Sequence, residues 1–342
     1  MPQVVHIQSH PGGWSRAVGI VIGLITFGVV FVIGLVAGIM VMFSATEPES
    51  SIVEATWREG TGTQMIAILP VEGVIDGRQA AFVRDAVAHI LATGDYSGII
   101  LRVNSPGGGV TASDEIWYEI KRLQDAGYPV IASYGGIAAS GGYYVSCAAD
   151  HIIAQPTCIT GSIGVIAQVV TFEGLMDKVG VEPVTLVATG SPNKDVANDT
   201  FRTWNERDRA KVLASLDASY ETFLDRVVTG RANQLDAAEA RQLADGSVYQ
   251  ATDAVANKLI DGIGYLDDAI AITEQRIGIP TGSAHVVRLG WPPSLFGGWL
   301  LQESTPGSAA RVASANSDGW NADDLRTFVN ELATPRIMYL SW

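Results

Sequence analysis

An α/β fold with mostly parallel strands joined by helical crossovers is what the sequence predicts, on three observations. Short apolar runs alternate with amphipathic helical stretches between residues 65 and 155. Hydrophobic residues make up 47% of the chain and charged ones 17%, a composition that supports a substantial core. No internal repeat of this pattern is visible, so the chain carries one such unit.

The elements follow in order. Residues 17–43 are free of charge, and this roughly 27-residue stretch exceeds the ~20 needed for a helix to cross a bilayer. It is longer than the apolar core of a cleaved signal peptide, which predicts a retained transmembrane helix. Gly19/Gly23 and Gly34/Gly38 supply two G-x-x-x-G spacings within it. Arg16 precedes the span, and Glu47, Glu49 and Glu54 follow. The positive-inside rule then places residues 1–16 in the cytoplasm and the main domain on the extracytoplasmic side of the cell membrane.

Residues 44–63 are polar and read as a linker. Beyond them, strands are expected at 65–71, 98–103, 129–133 and 151–155, with helices at 79–92, 111–126 and 140–149. A long charged helix over 201–229 and shorter ones over 237–244 and 251–259 complete the pattern. A Pro-, Gly-, Ser- and Trp-rich extension runs from 285 to 342. The net charge of −14 argues against a nucleic-acid partner, which needs clustered Lys and Arg. Cys147 and Cys158, the only cysteines, have no metal-ligand spacing and read as core thiols, with a disulfide open in an oxidising compartment.

Three segments can carry chemistry. Asn104-Ser105-Pro106-Gly107-Gly108-Gly109 follows an apolar run, and its glycines let backbone amides approach a ligand and hold an oxyanion. The same glycines also suit an ordinary strand-to-helix turn. Ser140 opens an apolar helix among small residues, where the helix N-terminus places positive partial charge beside it. The surroundings resemble a nucleophile elbow, but Ala138 stands where G-x-S-x-G needs glycine. A plain serine cap in a small-residue packing site fits the same residues.

The third segment is Thr189-Gly190-Ser191-Pro192-Asn193-Lys194-Asp195, a polar loop before the long helix. Of five histidines, His151 is the one credible base. Of five lysines, Lys194 alone lies in a glycine-flanked loop, and a lysine serves as a base once burial brings its pKa toward neutrality. Ser191-x-x-Lys194 matches S-x-x-K, but its S-D-N and K-T-G companions are missing.

Taken together, these residues resemble the signal peptide peptidase A (SppA) family of serine proteases. Ala139-Ser140-Gly141-Gly142-Tyr143-Tyr144 is similar to the family's nucleophile motif, and Asn104-Ser105-Pro106-Gly107-Gly108 to its oxyanion turn. Thr160-Gly161-Ser162-Ile163-Gly164-Val165 resembles its third signature, and Lys194-Asp195 stands where the family has its general-base lysine. Ala244-Asp245-Gly246-Ser247-Val248-Tyr249 and Leu259-Ile260-Asp261-Gly262-Ile263-Gly264 resemble the closing segment. The chain departs from the pattern after residue 285, and in Ser191-Pro192-Asn193, where an aromatic is more usual.

The resemblance implies a ClpP/crotonase-like β-superhelical core over residues 64–284 and a serine–lysine dyad. Ser140 is then the nucleophile and Lys194 the base. Ser162 orients the lysine, and the Gly107 and Gly108 amides form the oxyanion hole. It implies no metal or organic cofactor, peptide substrates such as cleaved signal peptides, and a homo-oligomeric ring that builds each site from adjacent subunits. A ClpP-like serine–histidine protease based on His151, a crotonase-type acyl-CoA enzyme and a scaffold with a dead site are the competing readings. The apolar terminus at 334–342 has extended character. It suits either a strand added beside a substrate groove or a strand covering apolar surface of its own domain.

Overall fold

The computed structural model describes residues 52–292, the backbone of 336–340, and Phe31 and Gly34. The chain divides into two units, Met1–Ser51 and Ile52–Trp342. In the first, Phe31 and Gly34 are helical. The remainder of the expected membrane span, 17–43, lies outside the described residues. Among the described residues no helix is long and apolar enough to cross a membrane.

The second unit is built on a mixed sheet whose centre is parallel. In spatial order it runs β1 (Val53–Arg58), β10 (His285–Gly290), β2 (Met65–Ile75), β3 (Tyr96–Gly109), β4 (Val130–Ala139), β5 (His151–Ala154) and β9 (Gly262–Ile263). All neighbours pair in parallel except β1 with β10. Helices α1 (Gly77–Thr93), α2 (Val110–Asp125) and α3 (Gly141–Ser146) make the crossovers between β2, β3, β4 and β5. This is the α/β order that the sequence pattern predicts.

Both faces of the central strands are buried, which is why they read as unbroken apolar runs. Ala67, Leu69, Ile99, Leu101, Val130 and Ala132 face one cluster, shared with Val83, Val87 and Ile90 of α1 and Ile116 and Ile120 of α2. The alternate residues Ile66, Ile68, Ile100, Ile131 and Ile153 face a second cluster, closed by Ala269 and Ile270 of α8 (Leu266–Arg276).

Several elements differ from expectation. The polar stretch 44–63 contains β1, and the stretch from 285 onward begins with β10, a full member of the sheet. Val53, Ala55 and Trp57 alternate with polar residues, but β1 is an exposed edge strand without an apolar face strong enough to stand out. Long-range contacts hold it. The buried Glu274 carboxylate accepts from Arg58 Nη2 at 2.5 Å and from the Gly282 and Ala284 amides. Strands β3 and β4 also continue past their expected ends into the glycine-rich motifs.

The expected helix over 201–229 starts later, as α5 (Glu206–Gly230). Asn205 and Asp208 form a reciprocal capping box at its start. Asp208 is fully buried and accepts two hydrogen bonds from Arg202, at 2.6 and 2.8 Å, and one from the Ala197 amide at 2.9 Å. Arg202 also donates to the Asp195 carbonyl. The segment beside Lys194 is thus tied to the start of α5. Both cysteines are free and buried; burial pushes the Cys147 thiol up to about 12 and the Cys158 thiol up to about 11.

The hydrogen bonds from Arg202 hold the Asp208 carboxyl well below the usual carboxylate range. Its contribution to stability is therefore complete above the unfolded value of about 3.9 and is lost as pH falls through the depressed folded value. Asp208→Asn is expected to cost about 2 kcal/mol at pH 7. In thermal melts, the gap between wild type and variant should be full at pH 6 and shrink below about pH 4. A gap that does not change with pH would show that the charge of Asp208 is not what matters.

Candidate active site

The site grows from the point where β3 and β4 separate. Their pairing runs in register to Val103↔Tyr134 and resumes only at Ser105↔Ala138, so β4 bulges over residues 135–137. Asn104 holds this bulge: its Oδ1 accepts from the Gly136 and Ile137 amides at 3.1 and 3.3 Å. A Cβ at Gly135 would lie 2.9 Å from that oxygen. Beyond the bulge β4 pairs with β6 (Ile159–Gly161) and leaves β3, whose residues 107–109 pair instead with residues 338–340.

Ser140 stands at the turn from β4 into α3, with φ 53° and ψ −115°. This backbone conformation costs a non-glycine residue about 1–3 kcal/mol and clusters at functional sites. The turn is held by the Ser140 amide donating to the Gly161 carbonyl at 2.8 Å. Ser140 is fully buried, and its Oγ has no hydrogen-bond partner among the described residues.

Each residue that follows has a contact that explains it. A Cβ on Gly141 would sit 2.6 Å from Ser113 Oγ and 3.1 Å from the Gly108 nitrogen. One on Gly142 would sit 2.8 Å from the Ser105 carbonyl oxygen. Tyr143 donates to the Leu259 carbonyl at 2.8 Å, and Tyr144 to Asp114 at 2.6 Å. Tyr144 also packs against Phe223 of α5, and Arg226 of the same helix reaches Asp114 and stacks 3.9 Å from the centre of the Trp117 ring. The two glycines let α3 approach β3, and the two tyrosines fix it there.

The oxyanion candidates lie against this helix. Gly107 has φ 110°, and its amide donates to Ser105 Oγ at 3.0 Å. Gly108 is wedged against β2, where a Cβ would fall 2.0 Å from the Ile75 carbonyl oxygen. Its nitrogen faces Gly141, next to Ser140. Ser162 follows Gly161 on the neighbouring strand, has φ 50°, and donates its amide to the Ser247 carbonyl. It lines a cavity of about 760 Å³ that extends to Ile166, Leu216, Tyr220 and Val248. The structure thus brings together Ser140, Gly107, Gly108 and Ser162.

Lys194 is placed differently. It is exposed, in a run of turns, and no hydrogen bond joins it to any of these four residues. The excursion that carries it also exposes Leu175, Val179, Val181, Val184 and Leu186, the last at 90% of its surface. His151 lies at the opposite end of β4, paired with Ile131. With the bulge taken into account, ~3.3 Å per residue puts it about 20–25 Å from Ser140 along the strand. Burial lowers its pKa, Asp261 opposes that effect, and the ring sits 3.7 Å from the Asp261 carboxylate. It is part of a structural network with the buried Arg231, which donates to Asp261.

Sequence reasoning missed Ser113, whose buried Oγ also lacks a partner. It lies in the first turn of α2 among ordinary helix formers, and only the fold shows that it faces Gly141. The role of Asn104 was equally hidden, because its partners are more than 30 residues away.

The model of peptidase family S49 matches residues 122–279, which include Ser140, Ser162 and Lys194. A putative signal peptide peptidase SppA of Enterococcus faecium is 34% identical over 232 residues, covering 65% of this chain and 66% of its own. Protease 4 of Haemophilus influenzae is 40% identical over 220 residues, which is 62% of this chain but 35% of that protein. A putative protease of Synechocystis is 35% identical over 217 residues, 62% of this chain and 75% of that one. The chain thus spans about two thirds of the Enterococcus protein and about a third of the Haemophilus one. With a buried, strained and unpartnered serine at its centre, the chain belongs to peptidase family S49, the SppA family of serine peptidases.

Proposed function

We propose that the chain is a membrane-anchored endopeptidase that cleaves signal peptides and other membrane-derived peptides through a serine–lysine dyad, on a ClpP/crotonase-like superhelical core. The observation that carries this reading is Ser140: a nucleophile-type side chain, buried without a partner, at a strained turn against a glycine-rich strand edge. Ser140 Oγ attacks the scissile carbonyl while a neutral Lys194 amine takes its proton. The Gly108 amide, whose nitrogen lies against Gly141 next to the serine, holds the developing oxyanion. The amide of Gly141, just after the nucleophile, stands in the position of a second donor. Gly107 joins them if its amide leaves Ser105 when substrate binds. The Lys194 ammonium then passes its proton to the leaving amine, and water resolves the acyl-enzyme by the same route. Ser162 orients the lysine.

Lys194 lies on the surface of a single chain, so the dyad needs a neighbour. The exposed apolar residues of the same excursion are of the kind that a protein contact covers. We assign that contact to a second copy, which buries the lysine loop and delivers Lys194 to Ser140 of the adjacent subunit in a ring. Burial is also what favours a neutral amine. The serine–histidine reading gains nothing from the structure, because His151 stands at the wrong end of β4.

Ser140→Ala and Lys194→Ala should each lower kcat on a fluorogenic peptide by at least about 10³-fold. Lys194→Arg should not rescue, since a guanidinium does not deprotonate. His151→Ala should stay within about twofold of wild type; if it abolishes activity while Lys194→Ala does not, the base is misassigned.

Co-expressed Ser140→Ala and Lys194→Ala chains should regain about a quarter of wild-type activity, because random assembly pairs an intact serine with an intact lysine at about one contact in four. No recovery from mixed assemblies would place both residues of the dyad on one chain. Gly142→Ala should cost about 1–3 kcal/mol of stability through its clash with the Ser105 carbonyl. It should also depress kcat/KM; a variant with wild-type stability and rate would remove the close approach from the account.

A further inference from the structure

Four hydroxyls on helices of this chain behave alike. Ser146, Ser219, Thr222 and Thr273 each donate to the carbonyl four residues back, at 2.7–3.0 Å. That carbonyl is where a helical hydroxyl turns when nothing else holds it. Ser113 departs from this pattern. It lies in the first turn of α2 and is fully buried, and its Oγ has no hydrogen-bond partner among the described residues, the Gly109 carbonyl included. A buried hydroxyl without a partner costs stability, and alanine would fill the same helical position without that cost.

The side chain borders the amides assigned above to the oxyanion. A Cβ on Gly141 would lie 2.6 Å from Ser113 Oγ and 3.1 Å from the Gly108 nitrogen. Both atoms thus stand within 3.1 Å of one point beside Gly141, the residue that follows the nucleophile. Two donors that share one acceptor oxygen stand at most about 6 Å apart, and this pair meets that limit. Gly109, the cap residue of α2, brings no side chain to the helix's free amides, so the positive end of the helix dipole lies at the same place. The Gly107 amide, by contrast, is already engaged by Ser105 Oγ at 3.0 Å.

We propose that Ser113 is a catalytic residue, a side-chain donor that joins the Gly108 and Gly141 amides in holding the oxyanion. The proposal rests on the reading of Ser140 as the nucleophile. It goes beyond that reading in naming a donor outside the backbone. When Ser140 Oγ bonds to the scissile carbon, its proton passes to the base and the carbonyl π pair moves onto oxygen. The Ser113 O–H donates to that oxygen and keeps its own proton. When the C=O re-forms and the C–N bond breaks, this hydrogen bond is released. A bond made only as charge develops raises kcat and leaves substrate binding unchanged.

In the full-length protein, Ser113→Ala should lower kcat on a fluorogenic peptide by about 10²-fold, with KM within about twofold. Its melting temperature should equal or exceed that of wild type, because the variant removes a buried hydroxyl that has no partner. Ser113→Cys keeps the approximate size but supplies only a weak donor, and should be nearly as slow as Ser113→Ala. A Ser113→Cys enzyme as fast as wild type, or a Ser113→Ala enzyme that melts lower with kcat unchanged, would make Ser113 a packing residue and overturn the proposal.

A pair of inhibitors gives a readout that needs no turnover. A peptide aldehyde adds to a serine hydroxyl and turns its carbonyl oxygen into the tetrahedral oxygen of a hemiacetal; the matching peptide alcohol forms no such centre. The Ki of the aldehyde should rise about 10²-fold in Ser113→Ala, while the Ki of the alcohol stays within about twofold of wild type. Equal aldehyde affinity in wild type and Ser113→Ala overturns the proposal and leaves Ser140 as the nucleophile. An aldehyde that binds wild type no better than the alcohol overturns the reading of Ser140 itself, and the role of Ser113 with it.

Discussion

The close approach of α3 to the glycine-rich end of β3 is the constraint on which the rest of the site depends. Three glycines make it, each where a Cβ would strike backbone or the serine beside it: Gly108 on the Ile75 carbonyl, Gly141 on Ser113 Oγ and the Gly108 nitrogen, and Gly142 on the Ser105 carbonyl. Separating the two elements by the width of a methyl group would take the Gly108 nitrogen away from Gly141 and the turn at Ser140. The bulge in β4, stapled by Asn104, turns the chain toward this contact, and the positive φ of Ser140 completes the turn.

This arrangement has a cost. A strained serine and two buried hydroxyls without partners, on Ser140 and Ser113, all disfavour the folded chain. The anchors around them offset it: Tyr143 to Leu259, Tyr144 to Asp114 and Phe223, Arg226 to Asp114 and Trp117, all buried or half-buried. Ser140 and the helix it opens are thus fixed to the core from several directions. The lysine segment is built the other way. It is exposed and tied down by Arg202, which bonds Asp208 and the Asp195 carbonyl. Rigidity on one side and an unfilled surface on the other suit a site completed by assembly.

How much of this the sequence showed depends on how local each signal is. The parallel core was legible because strands buried on both faces give long apolar runs, and α1 and α2 have clear helical spacing. The motif around Ser140 was legible because the close approach demands glycine and the anchors demand tyrosine. Strand β1 was not, since an exposed edge strand needs no apolar face and is held by β10 and Glu274, more than 200 residues away. The late start of α5 depends on a capping box coupled to Arg202, which periodicity does not register. Ser113 stayed hidden because a serine in the first turn of a helix is ordinary until a neighbour is placed against it. The extended character of the C-terminus was visible, but not its register, which pairs residues 338–340 with 107–109 and 336–338 with 166–168 and so depends on strands more than 150 residues away.

The central claim is that Ser140 is an activated nucleophile and not a buried structural serine. Covalent labelling of the full-length protein with a serine-directed fluorophosphonate at pH 8, followed by peptide mapping, tests it most directly. The account predicts one adduct, on the peptide that contains Ser140, and none there in Lys194→Ala. An adduct confined to another serine, or labelling of Ser140 that persists unchanged without Lys194, would contradict it.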